Sequence, residues 1–365
     1  MKIAVIGAGV AGLTLARECK RRGARVQVFE KSRSVGGRLA NRRLSWATVN
    51  MGAQYFTARD PRFVAQTQLW LQQGVVQRWA LSPHVVKKGV LKPSPDVTRR
   101  YVGMPTMTAI AHDLADGSNI HLSSRVTRLV RAQFSMRWQV EVDGSLLEQY
   151  YDWVVLAIPP EQAAELVRRS GLAPPAELDS ALAGSVLAGD MGATSDDPLA
   201  APCSLYRTLT APVFTPCWAL AVATFGAVDP KVQGVFGDET VSWVTRLSPP
   251  LTSSTETFDD AWLLHFSPSW SQAHGQRRDL SISETGVKWL SDVFKAPLVL
   301  SHASQHFWRY AKPVCDSATD PIFLDSQQGL AVTGDWLCGG RVEGAYLSGL
   351  DVAHGIFSSR VSGEA

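Results

Sequence analysis

Residues 7–12 constrain this chain more than any others. Gly7, Gly9 and Gly12 form G-x-G-x-x-G directly after Lys2-Ile3-Ala4-Val5-Ile6, a short β-branched run of the kind buried in a parallel sheet. The first glycine lets the chain turn tightly, the second lets backbone N–H groups approach a pyrophosphate, and the third lets helix and strand pack closely. The predicted helix runs through Leu13, Leu15, Ala16 and Cys19 to Lys20, Arg21 and Arg22, with Gly23 as its stop. Its cations therefore lie where the macrodipole is negative, and phosphates would sit at the other end. A second strand, Ala24 to Phe29, delivers Glu30 and Lys31, and the Glu30 carboxylate stands where it can accept hydrogen bonds from an adenosine ribose. Strand, turn, helix, strand and acid in this order predict a βαβ dinucleotide site.

The continuation narrows the dinucleotide. Gly36-Gly37 permits a further close backbone approach, and Arg38 can pair with a phosphate oxygen. The run Gly7…Gly12…Glu30…Gly36-Gly37-Arg38 resembles the FAD motif of the flavin amine oxidase superfamily, and Met51-Gly52-Ala53-Gln54-Tyr55-Phe56-Thr57-Ala58-Arg59 resembles a loop of its renalase-like branch. The resemblance implies FAD as cofactor, with Gly7, Gly9, Val10, Ala11, Gly12, Glu30, Lys31, Gly37, Arg38, Gln54, Tyr55 and Phe56 among its contacts. A signal peptide over Ile3 to Ala16 is the rival reading of the N-terminus. One preceding Lys, no small-residue cleavage site and glycines where a signal helix would carry Leu argue against it.

Composition excludes several classes. With 365 residues and 45% hydrophobic content the chain suits one large or two interleaved domains with sizeable cores. A net charge of +3 spread along the sequence makes no basic stripe, so neither nucleic acid nor an anionic membrane is the expected partner, while an anionic small molecule is compatible. Cys19, Cys203, Cys217, Cys315 and Cys338 are odd in number and lack C-x-x-C spacing, which argues against a disulfide framework and a zinc site and points to the cytoplasm. No run of about 18 apolar residues predicts a membrane span.

Along the chain, Asp60-Pro61 opens a predicted helix with Phe63, Thr67, Trp70 and Leu71 on one face, stopped by Gly74. Val75 to Lys92 reads as strands. Gly103-Met104-Pro105 is taken to start a helix through Ile110 and Leu114, followed by a short strand, Asn119 to Leu122. In the resembled family the Val after that strand meets the adenine, which assigns Val126; an ordinary strand residue is the alternative. Val126 to Tyr150 alternates as an antiparallel meander, Trp153 to Ile158 is a buried strand, and Glu161 to Arg169 a helix. No elements are assigned from Ala173 to Pro202. From Ser204 to Phe266 short β-like runs are expected to roof the cofactor, and Ile282 to Phe294 is amphipathic. The tryptophans of this half are core aromatics or walls of a flat apolar pocket.

Two late stretches complete the pattern. Trp308-Arg309-Tyr310-Ala311-Lys312-Pro313 resembles a segment of renalase-like sequences, where aromatics could border the flavin and Arg309 could hold an anion or serve structurally. Leu330 to Thr333 reads as the last parallel strand, followed by Gly334-Asp335 and by a helix opened by Val342-Glu343-Gly344-Ala345. These resemble the C-terminal flavin motif, with Asp335 towards the ribityl or pyrophosphate part of FAD and the helix N-terminus favouring negative charge near the ring. Cys338 does not match the family's attachment position, so FAD is expected to be non-covalent.

The fold expected is α/β: a Rossmann-type FAD-binding domain of parallel sheet plus meander (1–60, 100–160, 300–365), interleaved with an α+β substrate domain of mainly antiparallel sheet (61–99, 161–299). The resemblance implies an FAD-dependent oxidase using dioxygen and a small-molecule substrate, 2- or 6-dihydro isomers of NAD(P)H, with Tyr55, Trp308 and Arg309 as candidate catalytic residues and no metal. An amine or amino-acid oxidase, a biosynthetic desaturase, and a flavin-binding regulatory protein without turnover are the alternatives. Nothing in the sequence predicts an oligomeric state.

Overall fold

The computed structural model describes residues 1–132, 135–173, 200–211, 213–247, 257–275, 281–314 and 323–361; most of the stretch left unassigned above, residues 174–199, lies outside them. The chain forms two compact units, one made of Met1–Gly37, Leu114–Val213 and Cys315–Ala365, the other of Arg38–Asp113 and Phe214–Val314. Their boundaries fall elsewhere than the predicted domains. Residues 38–60, 100–113 and 300–314 belong to the second unit, because the strands Arg42–Arg43, Arg100–Gly103 and Val299–Val314 find their sheet partners there. Residues 161–213 belong to the first, where the Ser170 hydroxyl accepts from the Leu129 N–H at 2.8 Å.

The first unit is built on a six-stranded sheet in the order Phe323–Asp325, Leu330–Val332, Trp153–Leu156, Lys2–Ile6, Arg25–Phe29, Asn119–His121. Only the first pair is antiparallel; the others run parallel. Register aligns the ends of the central strands. Ile6 stands beside both Phe29 and Leu156, and Leu156 beside Val332, so the loops that leave these four strands leave one edge of the sheet together. That edge, at the carboxyl ends of parallel strands and where connections diverge from the first strand to either side, is where open α/β sheets bind ligands. The predicted meander is present as Val126–Arg131, Trp138–Val142 and Ser145–Leu146.

The second unit holds a seven-stranded sheet in the order Val299–Val314, Val213–Phe225, Asp260–Phe266, Val241–Arg246, Gly234–Phe236, His84–Lys87, Val90–Pro93. Pairing is antiparallel at most positions, with Gly234–Phe236 parallel to His84–Lys87. Strand alternation sorts its apolar side chains. Trp218, Leu220, Val222, Trp262, Leu264 and Phe266 face one way and pack with the helix Ile282–Phe294, which Ser281 caps. Ala219, Ala221, Ala223, Ala261 and Leu263 face the other way and pack against Trp46, Val49 and Met51. The row of alanines leaves room for that overlying loop.

Two predicted elements are corrected. Arg100–Gly103 is a strand paired antiparallel with Val76–Trp79, and the helix expected from Gly103 onward runs only over Thr108–Ala115. Pro105 lacks an N–H and disfavours helical geometry at Met104, which postpones the helix. The strands expected between Ser204 and Phe266 begin only at Val213, and before them lies a helix, Ala200–Thr210, whose Leu205 and Leu209 are buried one turn apart. Among the described residues no helix is long and apolar enough to cross a membrane, and no cluster of His, Cys, Asp and Glu could hold a metal ion.

Candidate functional site

At the edge of the parallel sheet each glycine of the turn does a different job. Gly7 has φ of +110°, a conformation L side chains rarely adopt, and a Cβ there would meet the Ala157 carbonyl oxygen at 2.5 Å. At Gly12 a Cβ would meet the Gly7 oxygen at 2.2 Å, so the helix Val10–Arg21 lies against the strand as closely as backbone allows. A Cβ at Gly9, the N-cap, would meet nothing within 4 Å. The helix begins with Val10 and Ala11 buried and no acid in its first turn, which leaves a positive helix end beside open space.

The Glu30 side chain is buried, and its carboxylate is held by two backbone donors, Ala8 N–H to Oε2 and Ser32 N–H to Oε1, both at 2.8 Å. The Gly7–Gly12 turn and Glu30 are thereby tied together. Gly36 N–H donates to the Ala8 carbonyl at 2.8 Å, and Gly37 comes within reach of Gly9. Lys31 donates to Gln162 Oε1 at 3.0 Å, and burial together with the charge of Arg125 holds its ammonium below the ordinary lysine range. Val126 sits where the ladder to Val142 is broken by a bulge.

The late motif reaches the same sheet edge. Thr333 N–H donates to the Leu156 carbonyl at 3.0 Å, extending the strand past Val332. Ser348, inside the final helix Val342–Val361, bonds both the Thr333 hydroxyl and the Gly334 N–H at 3.0 Å. Asp335 is buried, and its carbonyl accepts from Cys338 at 2.9 Å and Gly340 at 2.8 Å, folding the turn that leads into Val342, Glu343, Gly344 and Ala345. Glu343 is buried in the first turn of that helix.

The second unit carries the remaining predicted residues. Gln54 is buried, and its Oε1 accepts from Trp243 Nε1 at 3.1 Å and from the Thr245 hydroxyl. An indole N–H only donates, so this contact fixes the amide with its nitrogen towards His265 Nε2, 3.3 Å away. His265 Nε2 also lies 3.2 Å from the Met51 carbonyl, which accepts from Trp308 Nε1 at 2.9 Å. The Tyr55 ring packs 5.5 Å from Trp243 and 5.8 Å from Trp79, with the Arg100 guanidinium 5.1 Å from its centroid. Phe56 turns into the core, its ring stacked on Tyr101 and edge-on to Phe63. The Arg38 guanidinium lies over Phe214 and donates to the Ala311 carbonyl at 3.3 Å.

Trp308 and Arg309 are not brought together. Trp308 packs with the alanine face of the sheet, Phe307 packs with the opposite face, and alternation sends the exposed Arg309 the way of Phe307. The sequence reading missed His265, Thr245 and Arg100, while Trp243 is one of the tryptophans it reads as core aromatics or pocket walls. For His265 a signal existed: it interrupts the apolar run that follows Asp260 in its strand, at a position facing the same way as Ala261 and Leu263.

Burial pushes the His265 imidazole down to about 4 from an ordinary 6.5. The folded state then resists a proton that the unfolded chain accepts, so this contribution to stability is complete above pH 6.5 and is lost as the pH falls towards 4. The full span is worth roughly 3 kcal/mol at most. Urea unfolding at pH 7 and pH 4.5 is expected to show a smaller loss for His265→Gln than for the native chain. Equal losses would remove His265 as the cause.

Comparison with known proteins agrees with this geometry. Residues 5–66 match the family model of the NAD(P)-binding Rossmann-like domain. A stretch of 52 residues, 14% of this chain, is 48% identical to 4,4'-diapophytoene desaturase of Staphylococcus aureus strain Newman, and the chain spans 10% of the length of that relative. Among solved structures, cyclohexylamine oxidase from Brevibacterium oxydans IH-35A superposes with a TM-score of 0.69 at 11% identity, over 98% of this chain and 99% of that one. An oxidoreductase from Methanosarcina mazei gives 0.64 at 15% identity, over 96% of this chain and 99% of that one. The fold is therefore shared with these oxidoreductases from end to end: an α/β fold with a Rossmann-like unit and mixed parallel and antiparallel sheets.

Proposed function

We propose that this protein is an FAD-dependent oxidoreductase of the amine oxidase and desaturase type, and more narrowly a renalase-like oxidase of 2- or 6-dihydro isomers of NAD(P)H. The observation that carries the cofactor is the sheet register, which gathers the Gly7–Gly12 turn, Glu30 and Gly334–Asp335 from distant parts of the chain onto one edge. FAD fits what is there. The space beside Gly9 at a positive helix end suits a pyrophosphate, the Glu30 carboxylate keeps lone pairs for ribose hydroxyls, and Asp335 with the N-terminus of the final helix would meet the flavin half. Bound there, FAD would supply an acceptor for a hydride and the two-electron reduction of dioxygen, with two protons, to hydrogen peroxide.

The chain's own residues then have to hold and orient a flat substrate. Tyr55 and Trp308 offer aromatic surface; Gln54 has its amide committed to Trp243, Thr245 and His265 and serves to hold the Met51–Phe56 loop in shape. Attachment of FAD through sulfur is not part of the proposal: Cys19 and Cys217 are pushed up to about 12 by burial, far from the thiolate such chemistry needs.

Anaerobic mixing of the FAD-loaded protein with 6-dihydro-NAD, 2-dihydro-NAD, NADH and a panel of amines tests the substrate. The isomers are expected to bleach the flavin band within seconds and NADH far more slowly. Fast bleaching by an amine with no response to the isomers would move the assignment to an amine oxidase, and absence of bleaching by any of them would favour a desaturase substrate or a regulatory flavoprotein.

A further inference from the structure

The strand Val299–Val314 carries a second feature on the same face as Trp308. Ser304, His306 and Trp308 alternate along it, and Arg42, from the short strand Arg42–Arg43, lies across them. Arg42 Nη1 donates to Ser304 Oγ at 3.0 Å and to the Gln305 carbonyl at 3.1 Å, and Nη2 lies 3.5 Å from His306 Nδ1. The His306 ring stands edge-on to Trp308, centroids 4.4 Å apart. Every partner of this guanidinium among the described residues is neutral. Two other arginines of the unit are paired with acids, Arg100 with Asp96 at 2.7 Å and Arg246 with Asp260. Five N–H donors face three partners, so Arg42 keeps its Nε–H and one Nη2–H for something else.

His306 sharpens the chemistry. An arginine can only donate, so Nδ1 accepts and the ring proton sits on Nε2, a further donor. Burial, and secondly the charge of Arg42, hold the imidazole below its ordinary range, which keeps that ring neutral at pH 7. A half-buried cation without a carboxylate, flanked by hydroxyl and imidazole donors and an aromatic wall, matches a doubly charged oxyanion: planar guanidinium forks bind phosphate bidentately, and partial desolvation strengthens the contact.

We propose that Arg42, with Ser304 and His306, forms the phosphate-binding subsite of the substrate site, and that the substrate is therefore a phosphorylated molecule whose flat ring lies towards Trp308. This rests on the reading of the protein as a dihydropyridine dinucleotide oxidase and adds to it the residues that select the dinucleotide tail.

Isothermal titration of the FAD-loaded protein with inorganic pyrophosphate tests the subsite directly, the cofactor site being filled. Binding is expected to weaken at least tenfold in Arg42→Gln, to recover in part in Arg42→Lys, and to be unchanged in Lys288→Gln, an exposed cation on the helix Ile282–Phe294. In stopped-flow reduction, Arg42→Gln should raise the KM for a 6-dihydro dinucleotide tenfold or more and that for the phosphate-free dihydronicotinamide riboside less than twofold. Native-like pyrophosphate binding by Arg42→Gln, or equal rises in KM for both substrates, would overturn the proposal. Pyrophosphate binding that depends on Arg42, in a protein whose flavin no dihydropyridine reduces, would keep the subsite and reject the oxidase reading.

Discussion

Gly12→Val is expected to yield a colourless protein. A Cβ at this position meets the Gly7 oxygen at 2.2 Å and the Ala157 Cβ at 2.9 Å, and neither neighbour is a flexible side-chain end. Helix and strand must part, so the cost is that of overpacking a close contact between backbones, about 3 kcal/mol or more. That is a large share of the stability of a domain. Gly9→Ala makes the informative contrast, because its Cβ meets nothing within 4 Å. The apoprotein should melt near the native temperature, while the added methyl occupies space proposed for the pyrophosphate and lowers FAD affinity about tenfold, or about 1.4 kcal/mol. The ratio of flavin to protein absorbance after gel filtration, with melting curves of both variants, separates folding from binding. Native affinity for FAD in Gly9→Ala would contradict the placement of phosphates at this helix end.

Removal of residues 331–365 should abolish FAD binding together with cooperative folding of the first unit. The final helix buries Val352, Ala353 and Ile356 completely and packs so closely that a Cβ at Gly349 would meet the Ala11 oxygen at 2.3 Å. Two large aliphatic side chains alone are worth about 1.5–3 kcal/mol each on burial. The loss also uncovers the helix that carries the Gly9–Gly12 turn. A milder version keeps the fold: Ser348→Ala removes the hydroxyl that bonds Thr333 and Gly334 and leaves a buried N–H without its acceptor, at about 1–3 kcal/mol. FAD content should drop in Ser348→Ala without loss of the cooperative transition. Retention of FAD by Met1 to Pro160 alone would show that Asp335 and the final helix are not part of the site.

The legible parts of this molecule are those whose cause is local. The helix Ile282–Phe294 is legible with its bounds because an amphipathic run follows a serine cap, and Pro61–Gln72 because Asp60 and Pro61 mark its start. The strand Arg100–Gly103 is not, because four residues with no long alternation become a strand only when Val76–Trp79 lies alongside. Pro202 and two threonines, Thr208 and Thr210, obscure the helix Ala200–Thr210, whose support is the burial of Leu205 and Leu209. Trp308 and Arg309, adjacent in sequence and both named as candidate catalytic residues, show a different limit. Adjacent residues of a strand point apart, so the pair separates once Val299–Val314 is known to be extended.

The Gly7–Gly12 turn is written in the amino-acid sequence because its requirements are steric and act over a few residues: a positive φ at Gly7, contact without a side chain at Gly12, and an acid placed by the next strand. Whether the late Gly334–Asp335 motif shares that edge depends on the register of Leu156 with Val332 and with Ile6, which no local pattern encodes. The same holds for the polar links of the second unit. Gln54 to Trp243, and Arg42 to His306, join residues about two hundred and more positions apart, and such pairs exist only because long-range strand pairing and a loop packed over a row of alanines bring them within hydrogen-bonding distance.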